Sequence, residues 1–261
     1  MRFRVLFCVF NRIFPIITLC SALAAPTSVL SQEIKSPSTK VNLLEVYTSQ
    51  GCSSCPPAED WLTQFENNSR LWNEFIPLNF HVDYWDYLGW KDPFASDKFS
   101  TRQRNFKRLG LSKTVATPGF ILNGQAWNGW FYRQALPLTE QNAPGLITAT
   151  LKDDLVSVNY RAASQIRQSL TVNVAVLGFN LATYIKRGEN RGKELIHDFV
   201  VLAHTEKPMM TVNTTAIADL TVPSISQFNA KKTALVVWVA DQSNPIPIQA
   251  AGDWITDTKS P

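Results

Sequence analysis

The pattern of apolar and polar residues divides the chain into two parts of different texture. In the first part, apolar and β-branched runs at 41–49 and 75–85 predict two buried strands. Apolar residues at helical spacing predict a helix over 56–65 and a longer, mostly polar helix over 92–111. A hairpin is expected within 117–130, where an Asn-Gly pair separates two apolar stretches. This part therefore alternates strands and helices.

From Gly145 onward, short segments alternate apolar and polar residues, are rich in β-branched side chains and are separated by turn sequences. Several strands at short spacing without intervening helices are typical of an antiparallel sandwich. We therefore predict an α/β domain over residues 41–144, followed by an all-β antiparallel sandwich-like domain over residues 145–261.

The N-terminal residues have the pattern of an export signal. Three arginines accompany an apolar run at 13–23, and residues 22–24 fit a small-x-small cleavage site. We expect residues 1–24 to be a signal peptide and residues 25–40, rich in proline and serine, to be a flexible leader. The expected location is secreted or periplasmic. The run is too short to span a bilayer, and we expect no integral membrane segment in the mature chain.

Removal of the signal peptide changes the charge and the cysteine count. The formal charge of +4 falls to about +1, because three arginines and no acids leave. The mature chain then has no excess of basic residues that would indicate nucleic acid as a partner. Cys8 and Cys20 also leave, so Cys52 and Cys55 are the remaining thiols. In an oxidising compartment they can pair with each other or with a partner's thiol.

The Cys-x-x-Cys motif indicates redox chemistry. Cys52 is expected near a helix N-terminus, where backbone N–H groups and the helix dipole stabilise a thiolate, and Cys55 is close enough to resolve a mixed disulfide. A strand, this motif at a helix start, and then further strands and a helix follow the thioredoxin order. The first domain is therefore predicted to be thioredoxin-like, and its partner a protein or peptide thiol/disulfide client.

Further residues are assigned by their resemblance to thioredoxins. Thioredoxins bury a carboxylate on the strand before the motif, which implies that Glu45 relays a proton to the resolving cysteine. Thr117-Pro118 resembles the cis-proline segment that faces the cysteines in that fold. Glu59 and Asp60 place negative charge in the first helical turn, which argues against a strongly acidic thiol.

An aromatic and acidic stretch, "HVDYWDYLGWKDPF", follows the second strand. Trp85 and Trp90 are expected to contact an unfolded peptide, together with Thr117, and Asp83 to handle protons. The alternative is a loop that packs its aromatic side chains against the β-rich part. Glu189 and Arg191 lie in a glycine-flanked turn. They could extend to the thioredoxin-like domain near the cysteines, and the alternative is that this stretch is only a hairpin turn.

Five segments together resemble an uncharacterised secreted, thioredoxin-like family, known as domain of unknown function 1223: "EVYTSQGCSSCPPAEDWL", "FHVDYWDYLGWKDPFAS", "TRQRNFKRLGL", "TPGFILNG" and "GENRGKELIHDFVV". The resemblance implies a thioredoxin-like domain joined to a β-rich domain. It implies no particular reaction.

Three interpretations of the cysteine pair stay open at this point. The first is thiol–disulfide exchange, which needs no cofactor. The second is copper(I) binding, for which two soft thiolates and one imidazole suffice, and His81 at the end of the second strand is the natural third ligand. The third is a non-catalytic binding module that keeps an inert local disulfide. Zinc usually needs four ligands, and the chain has only three histidines to add to these sulfurs. A zinc site at the Cys-x-x-Cys motif is therefore not favoured.

Overall fold

The computed structural model describes residues 31–138 and 143–256. The signal peptide predicted for residues 1–24 lies outside the described residues. Within these ranges the chain forms fifteen strands and two α-helices: β1 (Gln32–Lys35), β2 (Asn42–Thr48), α1 (Pro56–Thr63), β3 (Phe75–His81), α2 (Asp97–Arg108), β4 (Gly119–Leu122), β5 (Gln125–Ala126), β6 (Gly145–Lys152), β7 (Leu155–Ala162), β8 (Leu170–Phe179), β9 (Leu181–Tyr184), β10 (Glu194–His197), β11 (Val200–Pro208), β12 (Met210–Val212), β13 (Thr215–Thr221), β14 (Lys232–Asp241) and β15 (Pro247–Trp254).

Most of the strands belong to two large sheets. A mixed eight-stranded sheet has the order β15-β14-β8-β11-β3-β2-β4-β5, and an antiparallel five-stranded sheet has the order β1-β6-β7-β13-β12. Strands β9 and β10 form a separate two-stranded ribbon. Within the eight-stranded sheet, β2 pairs in parallel with β3, and β3 pairs in parallel with β11.

The eight-stranded sheet separates two hydrophobic cores. Along β8, Ala175 and Leu177 face one core, whereas Val174 and Val176 face the other, as the two-residue period of a strand requires. The first core includes both helices, and the second fills the space against the five-stranded sheet. All seven residues of β2 are buried, because this strand is covered on both faces.

The predicted fold class, an α/β thioredoxin-like domain followed by an all-β sandwich-like domain, is wrong. Val200 of β11 pairs with Asn79 of β3, so strands from both halves of the chain build one sheet. The described residues are mostly β and contain only two α-helices. Local periodicity identified strands but carried no information about this long-range pairing. The bounds 41–144 and 145–261 stay predictions, and part of the expected leader, Gln32–Lys35, forms β1.

Each helix is positioned by local chemistry. Two prolines start α1, where the missing N–H groups cost little, and Cys55 is its N-cap residue. Ser96 caps α2 by accepting a hydrogen bond from the Lys98 N–H. Helix α2 then buries Phe99 and Phe106 on one face against β2 and β3.

The parallel pairing of β2 and β3 brings their carboxyl ends together, with Thr48 opposite His81. The cysteine loop follows β2 directly, and the aromatic stretch follows β3. Both segments therefore start from the same edge of the sheet. Among the described residues, no helix is long and apolar enough to cross a membrane.

Candidate functional site

The two cysteines form a disulfide in the loop between β2 and α1. Their Cα atoms are 5.5 Å apart, and both residues are buried, with 1% of Cys52 and none of Cys55 exposed. Ser53 and Ser54 between them are exposed. The Ser54 hydroxyl lies 3.4 Å from the Cys52 sulfur. The disulfide is therefore close to the surface but covered by its neighbours.

The start of α1 offers fewer hydrogen-bond donors than the sequence-based argument assumed. Pro56 and Pro57 have no N–H, and the N–H groups of Ala58 and Glu59 both bond to the Cys55 carbonyl oxygen. A thiolate at this position gains little direct hydrogen bonding from the first turn. We therefore expect the first turn of α1 to stabilise the thiolate only weakly when the pair is reduced.

The turn between β9 and β10 holds the cysteine loop in place. The buried Asn190 side chain donates hydrogen bonds to the carbonyl oxygens of Gln50 and Cys52, at 3.0 and 2.9 Å. Glu189, on the surface, accepts a hydrogen bond of 2.9 Å from the Ser53 N–H. Hydrogen bonding to the Ser53 side chain, and then to its N–H, lowers the Glu189 pKa. The glycine-flanked turn is therefore more than a hairpin connection, because it contacts the Cys-x-x-Cys loop directly.

Replacing Asn190 with alanine is expected to accelerate reduction of the disulfide by dithiothreitol. The change removes both hydrogen bonds and leaves two buried carbonyl groups without this partner, which costs about 1–3 kcal/mol and loosens the loop. The reduction rate is measured by quenching and thiol alkylation. Glu189→Gln, which removes only the exposed charge, is the matched control and should react at nearly the wild-type rate. Equal rates for Asn190→Ala and wild type would contradict this role.

Trp85 connects the cysteine loop to the proline turn. A Cβ atom added at Gly51 would lie 2.9 Å from the Trp85 Cβ, so the side chain packs tightly against the loop. The Trp85 indole N–H donates a 2.7 Å hydrogen bond to the Thr117 hydroxyl. The Thr117–Pro118 peptide bond is cis, the geometry that the sequence led us to expect. Trp85 thus links Gly51, the residue before Cys52, to Thr117.

Trp90 and Asp83, which were also expected at the peptide-binding surface, form hydrogen bonds within the protein. The half-buried Trp90 donates its indole N–H to the Gln50 side-chain oxygen at 2.8 Å. Asp83 accepts a 2.5 Å hydrogen bond from the Ser100 hydroxyl at the start of α2, which occupies one of its carboxylate oxygens. Tyr87 is 77% exposed and stacks on Trp85, with ring centroids 6.4 Å apart. The exposed aromatic surface beside the cysteines is therefore formed by Trp85 and Tyr87.

Glu45 pairs with Arg102 and Tyr47. It forms a bidentate ion pair with Arg102 of α2, with both N–O distances 2.7 Å, and also accepts a hydrogen bond from the Tyr47 hydroxyl. The Arg102 guanidinium lies over the rings of Phe80, Phe106 and Trp238. The structure therefore surrounds Glu45 with a structural ion pair in the first core, and its role as a proton relay stays a prediction.

A second group of buried polar side chains lies beneath the cysteine loop. His81, Glu59 and His197 are all buried, and one ligand atom of each lies within 4.8 Å of the others. His81 donates its Nδ1–H to Asp92 at 2.8 Å, and among the described residues its Nε2 has no hydrogen-bond partner. His197 contacts the Glu59 carboxylate through Nδ1 and the Gln50 side-chain nitrogen, 3.0 Å away, through Nε2. His81 therefore belongs to one buried group with Glu59 and His197.

The charges in this group shift the pKa values of its members. Burial raises the pKa of Glu59, but the neighbouring His197 and His81 outweigh it and lower this pKa. For Asp92, burial is likewise outweighed, by His81 and by two backbone N–H groups, so that the pKa is lowered. For His81, burial acts downward, whereas Asp92 and Glu59 raise the pKa above its usual value. The two carboxylates and the His81 imidazolium therefore stabilise one another.

This mutual stabilisation predicts an optimum pH for stability. Because the His81 pKa is raised, its contribution is complete below the unfolded value of about 6.5 and is lost as pH rises through the folded pKa. The contributions of Glu59 and Asp92 are present above about pH 4 and are lost as pH falls through their folded pKa values. Burial lowers the His204 pKa to about 3, so the unfolded chain binds a proton at this residue below about pH 6.5 and stability is lost there as well. We expect the free energy of unfolding, measured with urea on metal-free protein, to be highest near about pH 6.5.

Two variants test which groups cause the loss of stability as the pH rises. Asp92→Asn removes the charge that raises the His81 pKa, so the loss of stability between about pH 6 and pH 8 should become smaller. His204→Gln is the control, because His204 is bonded to Asn173 outside this group and burial lowers its pKa to about 3. This change removes a loss of stability on the acid side of about pH 6.5 and should leave the alkaline loss undiminished. An unchanged alkaline loss in Asp92→Asn would contradict the assignment.

Several residues of the site were not identified from the sequence. Gln50, Asp92 and Asn190 come from three separate loops and His197 from the end of β10, and no local motif joins them. Glu59 was considered only for its charge near the helix start. The buried carboxylate of α1 sits four residues after Cys55, so helical spacing alone was a usable signal that it faces the same side as the cysteine loop.

Comparisons with known proteins agree with the sequence resemblance. A model of a family described as protein of unknown function, DUF1223, matches residues 43–240. The chain belongs to this family. Among curated proteins, none matches the sequence. The resemblance to domain of unknown function 1223 is thus confirmed, while the family description supplies no reaction.

Two solved structures share the fold. The crystal structure of a protein from Agrobacterium tumefaciens is 23% identical, with a TM-score of 0.55, and the match covers 85% of this chain and 97% of that chain. HBP35 of Porphyromonas gingivalis is 15% identical, with a TM-score of 0.55, covering 84% of this chain and 76% of that chain. At these identities the likeness concerns the fold alone.

Proposed function

We propose that this DUF1223 protein is an exported thiol–disulfide oxidoreductase that acts through Cys52 and Cys55. The observation that carries the proposal is the disulfide between these two residues at the start of α1, on the same edge as the cis Thr117–Pro118 turn. A disulfide that closes a loop of only four residues restricts the unfolded chain little, by roughly 2 kcal/mol, so stability alone is a weak reason for the pair.

The exchange is written with the reduced protein as the starting state. The Cys52 thiolate attacks one sulfur of a client disulfide, forms a mixed disulfide and expels the other client sulfur as a thiolate, which takes up a proton. The Cys55 thiolate then attacks the Cys52 sulfur. This step closes the Cys52–Cys55 bond and releases the second client sulfur, so that the protein dithiol is oxidised and the client disulfide reduced. The reverse sequence oxidises a client dithiol.

The surroundings of the disulfide support a peptide or protein client. Trp85 and the exposed Tyr87 form an aromatic surface beside Gly51, and Thr117 and Pro118 border it. Aromatic surface at the edge of a site favours an extended peptide over a small charged ligand. Since the disulfide is nearly inaccessible, the client must first displace part of the cover, which includes the Asn190 turn.

The proposal is tested by exchange kinetics on the mature chain. Reduced protein is mixed with an unfolded peptide that carries one disulfide, and reduction of the peptide is followed by chromatography after acid quenching. We expect catalysis that disappears in Cys52→Ser, whereas Ser53→Ala, which changes an exposed side chain between the cysteines, should retain it. Peptide reduction no faster than with the double variant Cys52→Ser/Cys55→Ser would refute the function.

The other functions expected from the sequence are less well supported. Copper(I) binding by Cys52, Cys55 and His81 requires the imidazole beside both sulfurs, and His81 is instead grouped with Glu59 and His197. This copper site stays a prediction. A non-catalytic binding module would keep the disulfide oxidised, and the kinetic experiment above distinguishes it from the exchange catalyst.

A further inference from the structure

We propose that Glu59, His81 and His197 form a binding site for a single divalent transition-metal ion, with zinc as the best match. The site is distinct from the sulfurs of Cys52 and Cys55 and does not depend on the proposed exchange activity. The three side chains come from α1, the end of β3 and the end of β10, and one ligand atom of each lies within 4.8 Å of the others.

The free imidazole nitrogen of His81 is the first observation in favour of this site. His81 is completely buried, and its Nε2 has no hydrogen-bond partner in the part of the chain that the structure describes. A buried polar atom without a partner is costly, and each such atom requires an explanation. A metal ion bound to Nε2 would supply the partner.

The second observation is the support behind that ligand. Asp92 accepts the Nδ1–H of His81 at 2.8 Å and is itself held by the N–H groups of Gln50 and Phe94. This carboxylate–histidine arrangement fixes the ring and, in the neutral form of the imidazole, leaves the Nε2 lone pair for a metal ion, as in many zinc sites. The rings of His81 and His197 are neighbours and do not stack: they are nearly perpendicular, with centroids 5.1 Å apart.

The donor set and the charge both suit a divalent ion. Two imidazoles and one carboxylate are typical ligands of zinc in sites with three protein ligands. With neutral histidines, Glu59 and Asp92 give the buried group a formal charge of −2, which a divalent cation offsets completely. A hard cation such as Mg²⁺ would prefer oxygen ligands and retain several waters, which this buried, nitrogen-rich group does not favour.

The side chain of Gln50 gives the proposal a specific consequence. Its amide nitrogen faces Nε2 of His197, while Trp90 donates to its oxygen. When Nδ1 of His197 binds the metal, the imidazole proton moves to Nε2, which then needs an acceptor, and Gln50 must turn its amide to provide one. Gln50→Glu supplies a carboxylate acceptor directly and should therefore tighten metal binding, by about tenfold.

The test uses the mature chain, stripped with dipicolinate and then incubated with Zn²⁺ or Co²⁺, with a second loading during refolding from urea so that a slowly exchanging buried site is also filled. We expect one zinc per chain after dialysis, and visible Co²⁺ bands without thiolate charge-transfer absorption. Glu59→Gln should abolish stoichiometric binding, and Asp92→Asn should weaken it about 10–100-fold. The matched control His204→Gln should bind like wild type, and circular dichroism verifies that every variant is folded.

The double variant Cys52→Ser/Cys55→Ser separates this site from the exchange activity. It should bind one zinc with wild-type affinity although exchange is lost. Loss of zinc in this variant, or a thiolate band with Co²⁺, would show that the sulfurs hold the metal and would overturn the proposal. Substoichiometric zinc in wild type after both loading procedures, or full binding by folded Glu59→Gln, would also overturn it, whatever the exchange assay shows.

Discussion

Replacing Arg102 with methionine is expected to lower the free energy of unfolding by about 3 kcal/mol. The guanidinium makes both 2.7 Å contacts to Glu45, whose side chain is only 1% exposed. Removal of Arg102 leaves a buried carboxylate with the Tyr47 hydroxyl as its remaining described partner. We place the loss at the lower end of the range for buried ion pairs because 11% of the Arg102 side chain reaches solvent. Urea unfolding of the two proteins measures the difference.

A second variant shows whether the unpaired charge causes the loss. In Glu45→Gln/Arg102→Met, the buried group is neutral and still accepts a hydrogen bond from Tyr47, so much of the lost stability should return. If Arg102→Met cost less than about 1 kcal/mol, the pair would behave as an exposed one, and the structural account of Glu45 would fail. An equal loss in the single and double variants would assign the effect to the aromatic contacts of Arg102.

Replacing Cys55 and replacing Cys52 are expected to change the reaction with a client in different ways. Cys55→Ser should accumulate a mixed disulfide through Cys52, because the resolving thiol is absent, and Cys52→Ser should accumulate none. Turnover should fall to the uncatalysed rate in both variants. Non-reducing electrophoresis and intact-mass analysis, after incubation with a peptide disulfide, measure the adduct. A mixed disulfide on Cys55 in Cys52→Ser, at the level of the other variant, would reverse the assigned roles.

Local chemistry in the first part of the chain was largely predictable. The run at 41–49, the prolines after Cys55 and the Asn-Gly pair indicated β2, α1 and the β4–β5 hairpin, because each depends on residues adjacent in sequence. The pairing of β11 with β3 was not predictable in this way. It joins residues more than one hundred positions apart, and apolar periodicity does not specify the neighbour of a strand.

The same limit explains which parts of the site were missed. Cys52 and Cys55 form a motif, so sequence alone identified them. His81 was noticed as a ligand, but the cysteines were the nearest candidates in sequence, and its spatial neighbours Glu59 and His197 became evident only in the fold. Glu45 was assigned by analogy of position, whereas its actual partner, Arg102, lies on a helix whose orientation the periodicity left open.

The most direct test of the exchange function is the reduction potential of the Cys52–Cys55 pair. The mature chain is equilibrated with a series of glutathione ratios, or with dithiothreitol at low potential, and the thiols are trapped by alkylation. We predict a midpoint between about −270 and −120 mV, in the range of exchange catalysts, and toward its reducing end because the start of α1 has few free N–H donors. A pair that stays oxidised well below about −300 mV would be a structural disulfide and would contradict the account.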